Sequence, residues 1–209
     1  MKAKTLFYCT ECGNETAKWA GKCPACGAWN TIVEQPERPK GTGKGASVRV
    51  GMTRRRACPV TDLTADEEIR FPTGMGELDR VLGGGVVPGS AILIGGNPGA
   101  GKSTLLLQTL CKLAEGMKTL YVTGEESLQQ VAMRAHRLGL PTANLNMLSE
   151  TSIEQICQIA DEEKPQLMVI DSIQVMHMAD VQSSPGSVAQ IRETAAYLTR
   201  FAKTRGVAI

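Results

Sequence analysis

Apolar and polar residues follow two distinct patterns along residues 65–209. Short apolar runs that end at glycine or a polar residue predict strands in "SAILIGG", "KTLYVTG", "NLNML" and "QLMVIDSI". Helical spacing of apolar residues predicts helices in "STLLLQTLCKLAEG", "SLQQVAMRAHRLG", "SIEQICQIADEEK" and "SVAQIRETAAYLTRFAKTRG". Strands alternating with helices of this length predict an α/β fold, with a mostly parallel sheet covered by helices on both faces.

Three zones differ in composition. Residues 1–33 contain paired cysteines and short polar turns, which predict a small separate module. Residues 34–64 are rich in proline, glycine and basic residues and predict a linker. Residues 65–209 form the predicted α/β domain. The final residues, "GVAI", resemble the start of a strand, so we expect an incomplete sheet and a longer polypeptide.

Charge is distributed unevenly along the 209 residues. The net charge of +2 does not by itself indicate a nucleic-acid or membrane partner. Basic residues concentrate between residues 36 and 60 and include Arg54, Arg55 and Arg56. This basic arm is equally consistent with contacts to DNA phosphates and with a solvated linker. No apolar run approaches the roughly 20 residues of a membrane span, and no signal peptide is evident, so we predict a cytoplasmic protein.

A phosphate-binding motif follows the first apolar run. The octet "GNPGAGKS" matches G-x-x-x-x-G-K-S, the P-loop signature. Its glycines let backbone amides approach phosphate oxygens, and the following helix adds the partial positive charge of its N-terminus. A glycine-rich turn that serves packing alone is the simpler alternative. The predicted ATP-binding residues are Gly96, Asn97, Pro98, Gly99, Ala100, Gly101, Lys102, Ser103 and Thr104.

Within this motif, Lys102 would contact the β and γ phosphates, Ser103 would bind magnesium, and Thr104 would lie near the α phosphate. Asp171 ends the run "LMVID", where an aspartate can hold magnesium through water. Its alternative role is to cap a turn after the strand.

Hydrolysis of ATP also requires a group that orients or deprotonates water. "YVTGEES" places Glu125 and Glu126 at the end of a predicted strand, on the ligand edge of a parallel sheet. We expect Glu126 to be the catalytic residue, with Glu125 the second candidate and Lys102 assisting. Alternatively, both acids occupy the first turn of the next helix, where its dipole favours them.

The N-terminal cysteines have the spacing of a zinc site. Cys9 and Cys12 form one C-x-x-C pair, and Cys23 and Cys26 form another. Four thiolates present the tetrahedral arrangement that structural zinc accepts, whereas a redox pair or disulfides account less well for two matched pairs. A module of this size cannot bury enough apolar area to fold alone. We therefore expect the bound metal to stabilise its fold.

The remaining aromatic, cysteine and histidine residues receive simpler interpretations. Two tryptophans, Trp19 and Trp29, are expected to form the core of the cysteine module, although stacking on nucleic-acid bases is the alternative. Ordinary interior positions are expected for Cys58, Cys111 and Cys157. No role is assigned to His136 and His177.

Several motifs together resemble a known family. "FPTGMGELDRVLGGGVVPGS", "GNPGAGKST", "YVTGEES" and "VIDSIQ" resemble the RecA-like ATPases. With the four-cysteine module, the chain resembles in particular bacterial DNA-repair members of that family, from Cys9 to the last residue. "TGMGELDRVLGGG" discriminates best, because P-loops occur in many unrelated enzymes.

The resemblance implies a RecA-like P-loop ATPase domain in a ring-shaped homo-hexamer. Such a motor hydrolyses ATP, binds single-stranded or branched DNA, processes recombination intermediates and works alongside a recombinase of the RecA type. It also implies that the "GVAI" strand lies between the P-loop strand and the Asp171 strand. The family's Lys-Asn-Arg-Phe-Gly motif and its domain similar to the Lon protease do not occur in these residues.

A non-enzymatic module is the competing interpretation. In it, ATP sets an oligomeric state and the zinc ribbon recruits a partner. Both interpretations use the same binding residues, so only ATP turnover separates them.

Overall fold

The computed structural model describes residues 7–34, 59, 69–181 and 183–209. The basic residues Arg54–Arg56 and the thiol of Cys58 lie outside these described residues.

The N-terminal unit is a three-stranded antiparallel sheet of order β2-β1-β3. Its strands are β1 (Phe7–Cys9), β2 (Glu15–Thr16) and β3 (Ile32–Glu34).

The C-terminal unit alternates helices and strands as the sequence predicts. Its helices are α1 (Gly76–Val81), α2 (Lys102–Leu113), α3 (Leu128–Arg137), α4 (Ile153–Glu163) and α5 (Val188–Arg205). Its strands are β4 (Thr119–Thr123), β5 (Leu145–Ser149) and β6 (Leu167–Asp171). These strands pair in parallel in the order β5-β4-β6, so the predicted α/β fold with a parallel sheet is confirmed.

Strand β4 lies at the centre of this sheet, and all five of its residues are buried. Its side chains alternate between two hydrophobic cores, as the pleat of a strand requires. Tyr121 packs with residues of α2 and α3, whereas Leu120 and Val122 pack with residues of α4 and α5. Helices therefore cover both faces of the sheet.

The predicted strand "SAILIGG" is only partly formed. Ile92 N–H donates to the Ile209 carbonyl at 2.7 Å, and Ile209 N–H donates to the Ser90 carbonyl at 2.9 Å. Beyond Ile92 no described backbone segment pairs with the run, and Leu93 is 84% exposed. The prediction of a buried strand was therefore wrong for this segment, because a strand is buried only where neighbours flank it.

The chain's last residues lie where the resemblance implied. Met168 N–H donates to the Ala208 carbonyl at 2.8 Å, and Ala208 N–H donates to the Gln166 carbonyl at 3.0 Å. Because Ile209 also pairs with residues 90–92, the segment Val207–Ile209 lies between β6 and the segment that precedes the P-loop.

The sequence did not predict helix α1, which lies inside "TGMGELDRVLGGG". Asp79 organises the turn before this helix: its carboxylate accepts from the Thr73 amide and hydroxyl, both at 2.7 Å, and from the Gly74 amide at 3.2 Å. Phe71 then pairs with Val86 across the glycine run. A Cβ on Gly85 would lie 2.5 Å from the Phe71 carbonyl oxygen, so this position requires glycine.

None of the helices in the described ranges combines the length and apolarity that spanning a membrane would require.

Replacing Asp79 by Asn is expected to lower the melting temperature more than Glu77→Gln, an exposed change on the same helix. Hydrogen bonds from the Thr73 hydroxyl, then from its amide, hold the pKa of Asp79 below its usual value of 3.8. The ionised carboxylate therefore stabilises the fold fully at pH values above the usual pKa of 3.8, and this stabilisation is lost as the pH falls through the lowered pKa of the folded state. Thermal unfolding at a series of pH values should show a difference between the variants at neutral pH that disappears in acid. Equal melting temperatures at neutral pH would contradict this role.

Candidate functional site

The P-loop connects the segment after Ser90 to helix α2. Gly99 and Gly101 have φ angles of +78° and +83°, which L side chains rarely adopt, so the turn itself selects glycine there. Gly101 is the N-cap of α2, and the first turn of α2 contains no acidic residue. The amides at this helix N-terminus therefore present an uncompensated positive dipole end, which favours an anion such as phosphate.

Lys102 folds back across the loop. Its Nζ donates to the carbonyls of Gly96 at 2.8 Å and Asn97 at 3.0 Å. The ammonium group thus lies on the loop, within reach of anything that the loop amides bind.

Ser103 and Asp171 lie together, although they are 68 residues apart in sequence. The Ser103 hydroxyl donates to Asp171 Oδ1 at 3.0 Å. Parallel pairing of β4 with β6 aligns Thr123 with Asp171, so Asp171 marks the carboxyl end of the sheet beside the P-loop helix. A hydroxyl and a carboxylate at this distance offer the oxygen ligands that magnesium prefers, so these residues fit a magnesium–ATP complex.

Tyr121 is the second partner of Asp171. Its hydroxyl donates to Asp171 Oδ2, and its side chain is completely buried. Burial, together with the hydrogen bond and negative charge of Asp171, raises the pKa of Tyr121 well above its usual value. Both carboxylate oxygens of Asp171 therefore have hydroxyl donors, from α2 and from β4.

The two glutamates after β4 have different partners. Glu125 is exposed and accepts from the Ser172 hydroxyl at 2.5 Å, directly next to Asp171. Glu126 accepts from Arg134 Nη1 at 2.8 Å. Its backbone is fixed as well, because its amide donates to Thr123 Oγ1 at 3.1 Å and its carbonyl accepts from the same hydroxyl at 2.8 Å.

Sequence reasoning missed Tyr121, Arg134 and Ser172. Tyr121 resembles any other core residue of an apolar strand, and Ser172 is an ordinary residue after a strand. Arg134 had one available signal: it shares a helix face with Val131 and Ala135, both of which are buried. A charged residue at such a position requires a partner.

The four cysteines of the N-terminal unit converge on one point. Their sulfur atoms all lie within 4.8 Å of one another. Cys9 and Cys26 sulfurs are 3.7 Å apart, and those of Cys12 and Cys23 are 3.5 Å apart. A zinc tetrahedron with bonds near 2.3 Å has edges of about 3.8 Å, so this donor set fits a zinc ribbon.

The thiols of this cluster do not ionise alike. Burial opposes ionisation of Cys9, but hydrogen bonds with Thr31 and with the Cys12 and Glu11 amides outweigh it and lower its pKa to about 6. The Asn14 amide favours the Cys12 thiolate, but burial and the neighbouring sulfurs outweigh it and raise its pKa to about 12. Four thiolates this close repel one another, and a bound cation removes that repulsion.

The tryptophans of this unit are not its core, and that expectation was wrong. Trp19 is 61% exposed and Trp29 is 69% exposed. The core instead consists of Cys9, Cys23 and Ile32, with Phe7 and Cys12 packed against it. Two of the four cysteines, Cys9 and Cys23, fill the small interior together with Ile32, and the indole rings lie outside it.

Both tryptophans flank Gly21, since a Cβ placed there would lie 3.7 Å from Trp19 and 4.0 Å from Trp29. Lys22 Nζ lies 5.6 Å from the centre of the Trp29 ring.

Elsewhere, Cys111 and Cys157 are buried, which confirms the expected interior positions. His136 and His177 belong to no metal-ligand cluster in the described part of the chain.

Comparison with known families agrees with this geometry. A profile described as a rubredoxin metal binding domain matches residues 7–34. A profile described as an AAA domain matches residues 61–209. The chain belongs to the AAA domain family.

Curated relatives extend the comparison over the whole chain. The protein named DNA repair protein RadA in Salmonella typhimurium is 71% identical over 99% of this chain. Proteins of the same name in Escherichia coli and Bacillus subtilis are 70% and 47% identical. These matches confirm the expected resemblance to bacterial DNA-repair proteins. The chain spans 46% of the length of the Salmonella relative.

The purified chain is expected to contain one tightly bound zinc ion, which Cys12→Ser should remove. The remaining three thiolates cannot complete the tetrahedral site. Cys157→Ala is the matched control, because that thiol is buried in α4, outside the cluster. Elemental analysis of the purified variants measures the metal content. Equal zinc content in both variants would place the metal elsewhere.

Proposed function

We propose that the chain is the nucleotide-binding part of a cytoplasmic, DNA-dependent ATPase that acts in DNA repair and homologous recombination. The observation that carries this proposal is the 3.0 Å hydrogen bond from Ser103 to Asp171, which joins the P-loop helix to the carboxyl end of β6. P-loop ATPases hold magnesium with these two groups. The names of the relatives support the role in DNA repair.

In this function the P-loop residues bind the triphosphate. Backbone N–H groups of residues 96–101, apart from Pro98, which has none, donate to phosphate oxygens. Lys102 exchanges its two carbonyl partners for the β and γ phosphates, and Thr104 lies near the α phosphate. Ser103 and Asp171 hold magnesium, which neutralises charge on the transferred phosphoryl group.

A carboxylate after β4 orients the attacking water. The contacts favour Glu125 over Glu126, the residue ranked first from sequence. Glu126 is already engaged by Arg134 in an ion pair, whereas the hydrogen bond that the described residues give the Glu125 carboxylate comes from Ser172, next to Asp171. A carboxylate with unoccupied lone pairs is the better water ligand.

The wider organisation follows the same proposal. A zinc ribbon over residues 1–33 and a basic linker over residues 34–64 precede the ATPase domain over residues 65–209. The complete motor is a ring-shaped homo-hexamer that acts on single-stranded or branched DNA and works with a recombinase of the RecA type. The competing proposal is a binding module whose oligomeric state is set by ATP and which does not hydrolyse ATP.

Glu125→Gln is expected to lower the turnover number for ATP by about 100-fold or more, because a neutral amide orients water poorly and accepts no proton. ATP affinity should remain close to that of the unchanged chain. Glu126→Gln is the comparison variant and should have a clearly smaller effect on turnover at saturating magnesium. Phosphate release and binding of a fluorescent ATP analogue provide the two measurements.

These assays should be made with and without single-stranded DNA. They should use both the chain and a fusion that adds the C-terminal part of the Salmonella relative, so that stimulation by DNA can be assigned to one of the two parts. Binding of ATP without turnover in either protein would favour the binding module. Failure to bind magnesium–ATP at millimolar concentration would contradict the whole proposal.

The exposed tryptophans supply the proposed DNA contact of the ribbon. Aromatic side chains stack on unpaired bases, and Lys22 beside Trp29 provides positive charge for the backbone. Trp19→Ala and Trp29→Ala are each expected to weaken binding of a single-stranded oligonucleotide by about 1–3 kcal/mol. Phenylalanine at either position should retain most of the affinity.

Intrinsic fluorescence reports this contact directly, because Trp19 and Trp29 are the chain's 2 tryptophans. An oligonucleotide that stacks on them should quench the emission, and rising salt should reverse the quenching. Binding without quenching would assign the DNA contact to another part of the chain.

A further inference from the structure

A continuous chain of polar contacts connects the magnesium-site carboxylate to helix α3. Asp171 accepts from the Tyr121 hydroxyl. Arg134 Nη2 lies 3.5 Å from the same hydroxyl oxygen, and Arg134 Nη1 donates to Glu126 at 2.8 Å. The contacts therefore run from β6 through β4 and α3 to the loop after β4.

The chemistry of the donors and acceptors determines the direction of each hydrogen bond in this series of contacts. A guanidinium group only donates and an ionised carboxylate only accepts, whereas a phenol has one proton to give. Tyr121 gives that proton to Asp171, so its oxygen is left to accept from Arg134. The hydroxyl of Tyr121 thus has a single arrangement in which it serves both Asp171 and Arg134.

Burial makes these contacts costly to lose. Tyr121 has no exposed surface, and the Arg134 side chain is 15% exposed. A buried hydroxyl or guanidinium without a partner is strongly unfavourable, and Glu126 supplies the charge that balances Arg134.

We propose that Tyr121 and Arg134 are positioning residues that orient Asp171 for magnesium, with Glu126 holding Arg134 in place. Tyr121 occupies Oδ2 of Asp171, which directs Oδ1 toward Ser103. This inference rests on the proposed magnesium–ATP site, and it gives Glu126 a supporting role. Residues that orient a metal ligand in this way change metal affinity about 10- to 100-fold when replaced.

The test is magnesium-dependent binding of a fluorescent ATP analogue. Tyr121→Phe removes only the hydroxyl and keeps the ring in the core, so the variant should fold. It should raise the half-saturating magnesium concentration about tenfold or more, while binding of the analogue without magnesium stays unchanged. Arg134→Gln should produce a shift in the same direction, and Arg134→Lys should restore part of the affinity.

Matched controls exist for both residues. Tyr197 lies on α5 in a groove between α4 and α5, so Tyr197→Phe should leave the magnesium requirement unchanged. Arg137 lines the same groove as Arg134 and is exposed, so Arg137→Gln should also be without effect. The double variant Tyr121→Phe with Arg134→Gln should be no worse than Tyr121→Phe alone, because Arg134 acts through Tyr121.

Two results would overturn the inference. In one, Tyr121→Phe has the same magnesium requirement as Tyr197→Phe. In the other, the two substitutions add independently in the double variant. Both results are measured as magnesium-dependent binding of the nucleotide, without ATP hydrolysis. If Glu125→Gln hydrolyses ATP as fast as the unchanged chain, the proposed role of Glu125 is contradicted, but the role of Tyr121 and Arg134 is not.

Discussion

The register between β4 and β6 is the constraint on which the candidate site depends. Parallel pairing aligns Tyr121 with Val169 and Thr123 with Asp171. A shift of one residue would move each side chain to the opposite face of the sheet. Asp171 would then lose both Ser103 and Tyr121. Because the two faces of β4 pack into different cores, hydrophobic burial fixes this register, and the chemistry at the strand ends follows from packing inside the sheet.

A different constraint governs the N-terminal unit. Its core contains Cys9, Cys23 and Ile32, which is too little apolar surface to hold a fold of this size without a staple. Two of the three belong to the four-cysteine cluster, so the candidate metal site and the core share these residues. The indole rings consequently lie outside, where both are exposed.

Local sequence was enough to predict most elements of the α/β unit and the four-cysteine cluster, and it marks the P-loop and the two glutamates, whose roles stay predictions. Each has a signal within a short window: a periodicity, a glycine pattern or a cysteine spacing. It was not enough where the outcome depends on distant neighbours. "SAILIGG" has the composition of a buried strand, but it pairs only as far as Ile92. Trp19 and Trp29 suit a core by type, and only the assembled ribbon shows that its interior is already filled.

The contacts of Arg134 and Tyr121 also depend on residues that are distant in sequence. They depend on which face of α3 is turned toward β4. The Ser127–Gln130 capping box fixes where the helix begins, just after Glu126. Burial of Val131 and Ala135 then sets which face of the helix meets β4. Arg134 lies on the edge of that face, so packing places its guanidinium between Tyr121 and Glu126. The buried apolar face of α3 and the polar contacts of Arg134 are therefore consistent with one orientation of the helix.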